Sequence, residues 1–190
     1  NINLSFQTID GIYNTAAYNF KTLSQSDSTA TLALGSTLGD TLYINYTLIP
    51  NTYMVNVSVA TKGKRFNGKK LGIQWQDKVR QQEKGLYFEN MYSTLTYKDI
   101  DGDTEKLSEQ SSDQVKPEKR IEWIAFKNQY FSAVIIAGKQ AFEVDELKSD
   151  TCGEGSGFVK NYQAGLNLPL SLQADASESN FQFYFGPNKY

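Results

Sequence analysis

A chain of 190 residues, 39% hydrophobic and 13% aromatic, can bury one globular core without metals or disulfides, each buried Phe or Leu contributing roughly 1.5–3 kcal/mol. Its formal net charge of −2 gives no general attraction to phosphates, which argues against a nucleic-acid partner. With no histidine and the single cysteine Cys152, it lacks the parts for serine–histidine or cysteine–histidine nucleophiles, most zinc and copper sites, and an intrachain disulfide.

Residues 2–9, 13–20 and 29–34 read as strands, with Asp10-Gly11 as a tight turn. Leu42, Ile44, Tyr46 and Leu48 alternate with Thr41, Tyr43, Asn45 and Thr47, the period of a half-buried strand. After the break Pro50-Asn51-Thr52, the alternation Tyr53, Val55, Val57, Val59 completes a hairpin. Residues 62–84 hold eight basic side chains against Asp77 and Glu83, and read as solvated loops and strand edges. Contact with lipid headgroups or an acidic partner is the functional alternative. Within that run Asp77 is placed to cap a short helix over 78–84, ended by Gly85. Residues 86–99 and 105–108 read as strands joined across Asp101-Gly102, and 109–118 as a polar loop. Residues 121–126 and 130–137 are dense enough in apolar side chains for central strands buried on both faces. A flexible loop is expected over 149–157, around Gly153, Gly155 and Gly157. Leu166, Leu168, Leu170 and Leu172 alternate around Pro169, which favours an edge or bulged strand. The last alternating run is Phe181, Phe183, Phe185, leading into Gly186-Pro187, where a turn is expected. About a dozen strands and little helix imply an all-β fold of two packed, mainly antiparallel sheets forming one domain over 1–190.

The sequence carries no assembled catalytic or metal-binding motif. The acidic stretch beginning at Asp99 superficially matches a calcium loop, yet the sixth and twelfth positions, which need Gly and Glu, hold Thr104 and Gln110. Paired carboxylates could serve a glycosidase, but the acids lie in polar, loop-like stretches where solvated charge is expected. No phosphate-binding glycine motif is present. Trp75, Trp123 and the tyrosines read first as core and cross-strand pairs, and second as a sugar or peptide platform. No catalytic, cofactor-binding or metal-binding residue is assigned, so binding or scaffolding is the expected role. The apolar run 133–137 is far shorter than the ~20 residues that span a bilayer. A start at Asn1 without methionine reads as a processed or excised piece.

The stretch IEWIAFKNQYFSAVIIA over 121–137, with its W-I-A-x-x-x-x-Y-F pattern from Trp123 to Tyr130 and Phe131, resembles the periplasmic domain of YidC-type membrane protein insertases. So do QEKGLYFENMYSTLTYK over 82–98, YMVNVSVATKG over 53–63, and the ending FYFGPNKY with Gly186 and Pro187. The resemblance spans nearly the whole chain. It implies a β-supersandwich of the galactose-mutarotase-like type, held in the periplasm as part of an inner-membrane protein. It implies no catalysis, since mutarotase-type enzymes use histidine with carboxylates, and no cofactor. The partners it implies are Sec translocon accessory subunits and nascent membrane proteins. Trp123, Tyr130, Phe131, Gly186 and Pro187 are read as structural motif residues. A carbohydrate- or peptide-binding sandwich module, including peptide capture by strand addition, is the alternative.

Overall fold

The structure, a computed structural model, describes residues 1–173 and 176–188. Tyr190, which closes the FYFGPNKY ending, and the side chain of Leu172 lie outside the described residues. In chain order the first strands are β1 (Ile2–Thr8), β2 (Gly11–Asn14), β3 (Lys21–Gln25), β4 (Thr29–Gly35), β5 (Thr41–Leu48), β6 (Met54–Lys62) and the long β7 (Phe66–Arg80). A short helix, α1 (Leu86–Met91), precedes β8 (Thr94–Asp99), β9 (Thr104–Lys106), β10 (Asp113–Val115), β11 (Ile121–Lys127) and β12 (Phe131–Ala137). The chain continues through β13 (Glu143–Thr151), β14 (Phe158–Pro169), β15 (Ser171–Gln173) and β16 (Ala176–Pro187). Six strands form one sheet in the order β10-β13-β14-β7-β1-β2. The other ten form a second sheet, β3-β4-β5-β6-β16-β12-β11-β8-β9, with β15 paired to β16.

Alternation along the strands supplies the apolar faces that pack the sheets together. On β6, Val57 and Val59 are buried while Asn56 is exposed, and on β7, Leu71, Ile73, Trp75 and Val79 are buried while Lys70, Gln74, Lys78 and Arg80 are exposed. The inward rows merge into one hydrophobic cluster. Its centre is aromatic. Trp75 of β7 stacks on Phe126 of β11 with ring centroids 3.8 Å apart and planes 13° from parallel. Phe126 also stacks on Tyr162 of β14 at 5.0 Å, and Trp75 meets Phe183 of β16 edge-on. The buried Tyr162 hydroxyl crosses between the sheets and donates to the Lys127 carbonyl at 2.9 Å. Burial pushes this phenol far above its ordinary pKa.

Several local expectations are corrected. Residues 78–80 extend β7 and do not begin a helix, because Val79 must face the core while its charged neighbours face water. The helix lies immediately after Gly85, which starts it and does not end it. There the Glu89 carboxylate, 4% exposed, accepts from the backbone N–H groups of Gln82 and Glu83 and folds the preceding segment onto α1. Strand β2 stops at Asn14, whose side chain accepts from the Ala16 N–H to cap a 3-10 turn over Thr15–Ala17. The exposed edge strand β3 and the polar strands β10 and β13 lie where the pattern predicts no strand, and β13 takes residues 149–151 from the expected loop. Of the two strands expected to be buried on both faces, β12 is largely half-buried, and on β11 Glu122 and Trp123 stay half-buried. Pro169 ends β14, which is central and lies between β13 and β7. There the missing N–H of proline coincides with the passage of the chain from one sheet to the other, since β15 pairs in the second. Gly186 and Pro187 form no turn. They pair with Ser132 and Phe131, and Asn188 carries the ladder onward by donating to the Tyr130 carbonyl. The Asp101-Gly102 turn is present, Gly102 adopting the positive φ of 97° that favours glycine.

Trp75→Ala is expected to lower the unfolding free energy by about 3–5 kcal/mol through the cavity it leaves. Tyr162→Phe, which removes only the donor to Lys127, is expected to cost about 1–3 kcal/mol. Urea denaturation followed by circular dichroism checks both.

Candidate functional site

The acidic run that mimics a calcium loop is bridged from within by one lysine. The Asp99 carboxylate accepts from the backbone N–H groups of Asp101 and Asp103 at 2.9 and 3.0 Å, which bends the β8–β9 connection back on itself. The Lys119 ammonium then sits where a cation would go, 2.9 Å from Asp99, 2.8 Å from Asp101 and 3.5 Å from Asp103. Hydrogen bonding to Lys119 holds the Asp99 carboxyl below the usual carboxylate range, and the two aspartates raise the lysine correspondingly. Among the described residues no cluster of acids and cysteine is arranged to hold a metal. Glu143 is paired in the same way with Lys70 and Arg120, which depress its pKa. Lys160 is wholly buried and donates to the Glu109 carbonyl at 2.8 Å; burial holds its ammonium below the ordinary lysine value.

The Tyr-Phe half of the W-I-A-x-x-x-x-Y-F pattern and the Gly-Pro pair come together at one end of the sandwich. The β11–β12 turn carries Tyr130, 52% exposed, whose hydroxyl donates to Glu83 at 3.2 Å and so ties the turn to the segment before α1. Phe131, 58% exposed, lies across from Pro187, and Phe185, 51% exposed, across from Ala133. Both phenylalanines belong to the inward rows of β12 and β16, which continue as buried Ile135, Phe183 and Phe181. Those rows overrun the sheet that covers them. Gly186 is buried against two tyrosines, and a Cβ there would fall 2.6 Å from the Tyr184 ring and 2.8 Å from Tyr53. That close approach accounts for glycine at the position. Asn188 locks the end by donating to the carbonyls of Asn128 and Gln129. Trp123 lies apart from this end, half-buried opposite Ile136 and Lys98.

A second surface lies on the outer face of the ten-stranded sheet. Asn45 of β5, Ser58 of β6 and Asn180 of β16 stand in one register row, and Thr47, Asn56 and Gln182 in the next. These side chains line a hollow of 520 Å³ beside a neighbouring one of 440 Å³ edged by Lys139 and Glu178. Gln182 donates to Asn56 at 2.6 Å and Ser58 to Glu178 at 3.1 Å, so the rows are joined across strands. Alternation in β5 and β6 signals that such side chains face outward. Which strands lie side by side is not legible in it. Trp75, a candidate for an exposed sugar platform, is 5% exposed and belongs to the core.

The sequence profile of the YidC periplasmic domain matches residues 4–190. The chain belongs to this family. It is 38% identical over 178 residues to the membrane protein insertase YidC of Phocaeicola vulgatus, covering 90% of this chain and 28% of that protein. With the membrane protein insertase YidC of Bacteroides fragilis it shares 34% identity over 198 residues, covering 100% of this chain and 31% of the relative. The chain therefore spans less than a third of the length of these relatives, whose names describe insertion and not a chemical conversion. In architecture it is similar to a galactose mutarotase related enzyme from Lactobacillus acidophilus, with a TM-score of 0.55 at 8% identity over 95% of this chain and 77% of that one. That likeness bears on the fold alone, the mutarotase-like sandwich expected from the motifs. Among the described residues no helix is long and apolar enough to cross a membrane.

Because Asp99 titrates below its unfolded value, its ion pairs contribute stability that is present above the ordinary aspartate pKa and lost as pH falls through the depressed folded value. Lys119→Met is therefore expected to lower the urea midpoint at pH 7, and the difference from the parent chain should vanish as the pH drops below the depressed value. A difference that stays constant down to strong acid would assign the loss to the lysine stem.

Proposed function

We propose that residues 1–190 form a non-catalytic periplasmic accessory domain of an inner-membrane insertase, which meets Sec translocon accessory subunits or nascent membrane proteins and supports their insertion and folding. The observation that carries this reading is the family match from residue 4 to residue 190. The geometry supports it in two ways. The ionic clusters around Asp99 and Glu143 are satisfied by lysine and arginine within the domain, as structural ion pairs are. What stays open is surface, namely the aromatic end and the amide-lined hollow. The motif residues Tyr130, Phe131, Gly186 and Pro187 shape the aromatic end and act on no substrate; Trp123 supports β11 within its sheet.

Affinity purification of the insertase containing this domain, compared with its domain-deleted form, is expected to lose the Sec accessory subunits in the deletion. Identical partner sets from the two forms would overturn the interaction role.

The hollow favours a second reading, carbohydrate binding, because Asn45, Asn56, Asn180 and Gln182 offer paired donors and acceptors on a concave sheet face. On this reading a glycan panel yields a saturable ligand whose binding is lost in Asn180→Ala. A panel without saturable binding removes it.

A further inference from the structure

The aromatic end of the sandwich has a composition and a position that point to one occupant. Tyr53, Tyr87, Phe88, Tyr130, Phe131 and Phe185 are each more than half exposed. They come from four separate stretches of chain: the β5–β6 turn, α1, the β11–β12 hairpin and the end of β16. The contacts that gather them are specific. Phe185 donates its N–H to the Tyr53 carbonyl, Phe131 pairs with Pro187, and Tyr130 reaches Glu83 just ahead of α1. At the opposite end the β8–β9 turn is charged, with Lys119 set among Asp99, Asp101 and Asp103.

Single exposed apolar side chains need no explanation, but six exposed aromatic rings at one end do. Tyrosine and phenylalanine together match the border between headgroups and acyl chains, where a ring is solvated by lipid and a phenol by water. Charge at this end is mixed: exposed Arg80 and Lys84 stand beside exposed Glu83 and Glu154. Attachment would therefore rest on apolar burial more than on attraction to anionic headgroups.

The path of the chain supplies the orientation. Asn188 leaves β16 at this end, held by the β11–β12 turn. Asn1 is bonded to Gln76, in the half of β7 that runs towards the same end. Both described chain ends thus face the aromatic pole. The relatives are more than three times as long as the matched region and are named as membrane protein insertases. The aromatic pole is then the side that meets their remaining polypeptide.

We propose that this pole is a membrane-docking surface, with Phe131, Phe185 and the α1 aromatics Tyr87 and Phe88 seated in the lipid interface of the bilayer. The proposal rests on the accessory-domain reading and adds to it an orientation. The amide-lined hollow would stand on the flank of the sandwich, open to the aqueous side.

The test uses the 190-residue chain in a Cys152→Ser background, tethered through a C-terminal histidine tag to nickel-chelating vesicles, mostly phosphatidylethanolamine with some phosphatidylglycerol. A polarity-sensitive fluorophore is attached at Phe131→Cys, or at Leu38→Cys on the opposite end. The Phe131 label is expected to shift to the blue on vesicles and to be quenched by lipids brominated in the upper acyl chain, while the Leu38 label does neither. Without the tether, Tyr87→Ser/Phe88→Ser should reduce vesicle-bound protein by roughly tenfold, with little dependence on salt. No quenching at Phe131, or equal quenching at both positions, would overturn the proposal. A blue shift without lipid quenching would do so too, since protein and not lipid would then cover the pole. The result is separable from the partner test above: loss of Sec partners on deletion with no quenching leaves the accessory reading intact and removes only the docking.

Discussion

The stack of Trp75 on Phe126 is the contact on which the arrangement of the two sheets depends. Facing sheets lie about 10 Å apart, and a tryptophan from one with a phenylalanine from the other fills that gap almost face to face. The strand beside Trp75 presents Ala164 in register, a small residue next to the large indole. Two residues earlier on the same strand, Tyr162 also stacks on Phe126 and bonds across to β11. One sheet is thereby positioned on the other both laterally and along the strands. The overrun of β12 and β16 past their covering sheet follows from that alignment. The exposed Phe131 and Phe185 are core residues without a roof, and the surface they form is a product of how the core is packed.

Several of the surface charges are paired within the domain. Lys70, Lys78 and Arg80 occupy outward positions of β7, whose inward positions carry Leu71, Ile73, Trp75 and Val79. Lys70 reaches Glu143, and Lys119 fills the acidic β8–β9 turn. A carboxylate already paired with an internal ammonium is poorly placed to move protons or bind a metal. The sandwich here carries paired charges, a flank of amides and an aromatic end.

How much was legible varied by element, for physical reasons. The β5–β6 hairpin could be read because each strand alternates cleanly and a proline-containing turn separates them. The far half of β7 could not, because Asp77, Lys78, Arg80 and Gly85 together imitate a capped helix; its period-two signal is only Trp75 and Val79 among charges. The segment 86–91 is apolar enough to pass for a strand, and its helix depends on the buried carboxylate of Glu89 binding backbone groups before it. Strand β13 is polar along most of its length and is held by β14 and β10 on either side. Its pairing energy comes from neighbours distant in the chain. The Gly186-Pro187 pair suggested a turn on local grounds, whereas the ladder to β12 and the crowding of Tyr53 and Tyr184 keep it extended.

Composition and local pattern alone determined that the protein is all-β, that histidine-based chemistry is impossible, and that the spacing of its motifs resembles that of one insertase family. These properties are written in residue types and in short periods along the chain. Only the tertiary structure decided that Trp75 is core and Tyr130, Phe131 and Phe185 are surface, that an ammonium bridges the aspartates of the false calcium loop, and that four separate stretches converge on one end. Alternation says which side chains share a face of a strand. It does not say which strand lies beside it, or where the covering sheet stops.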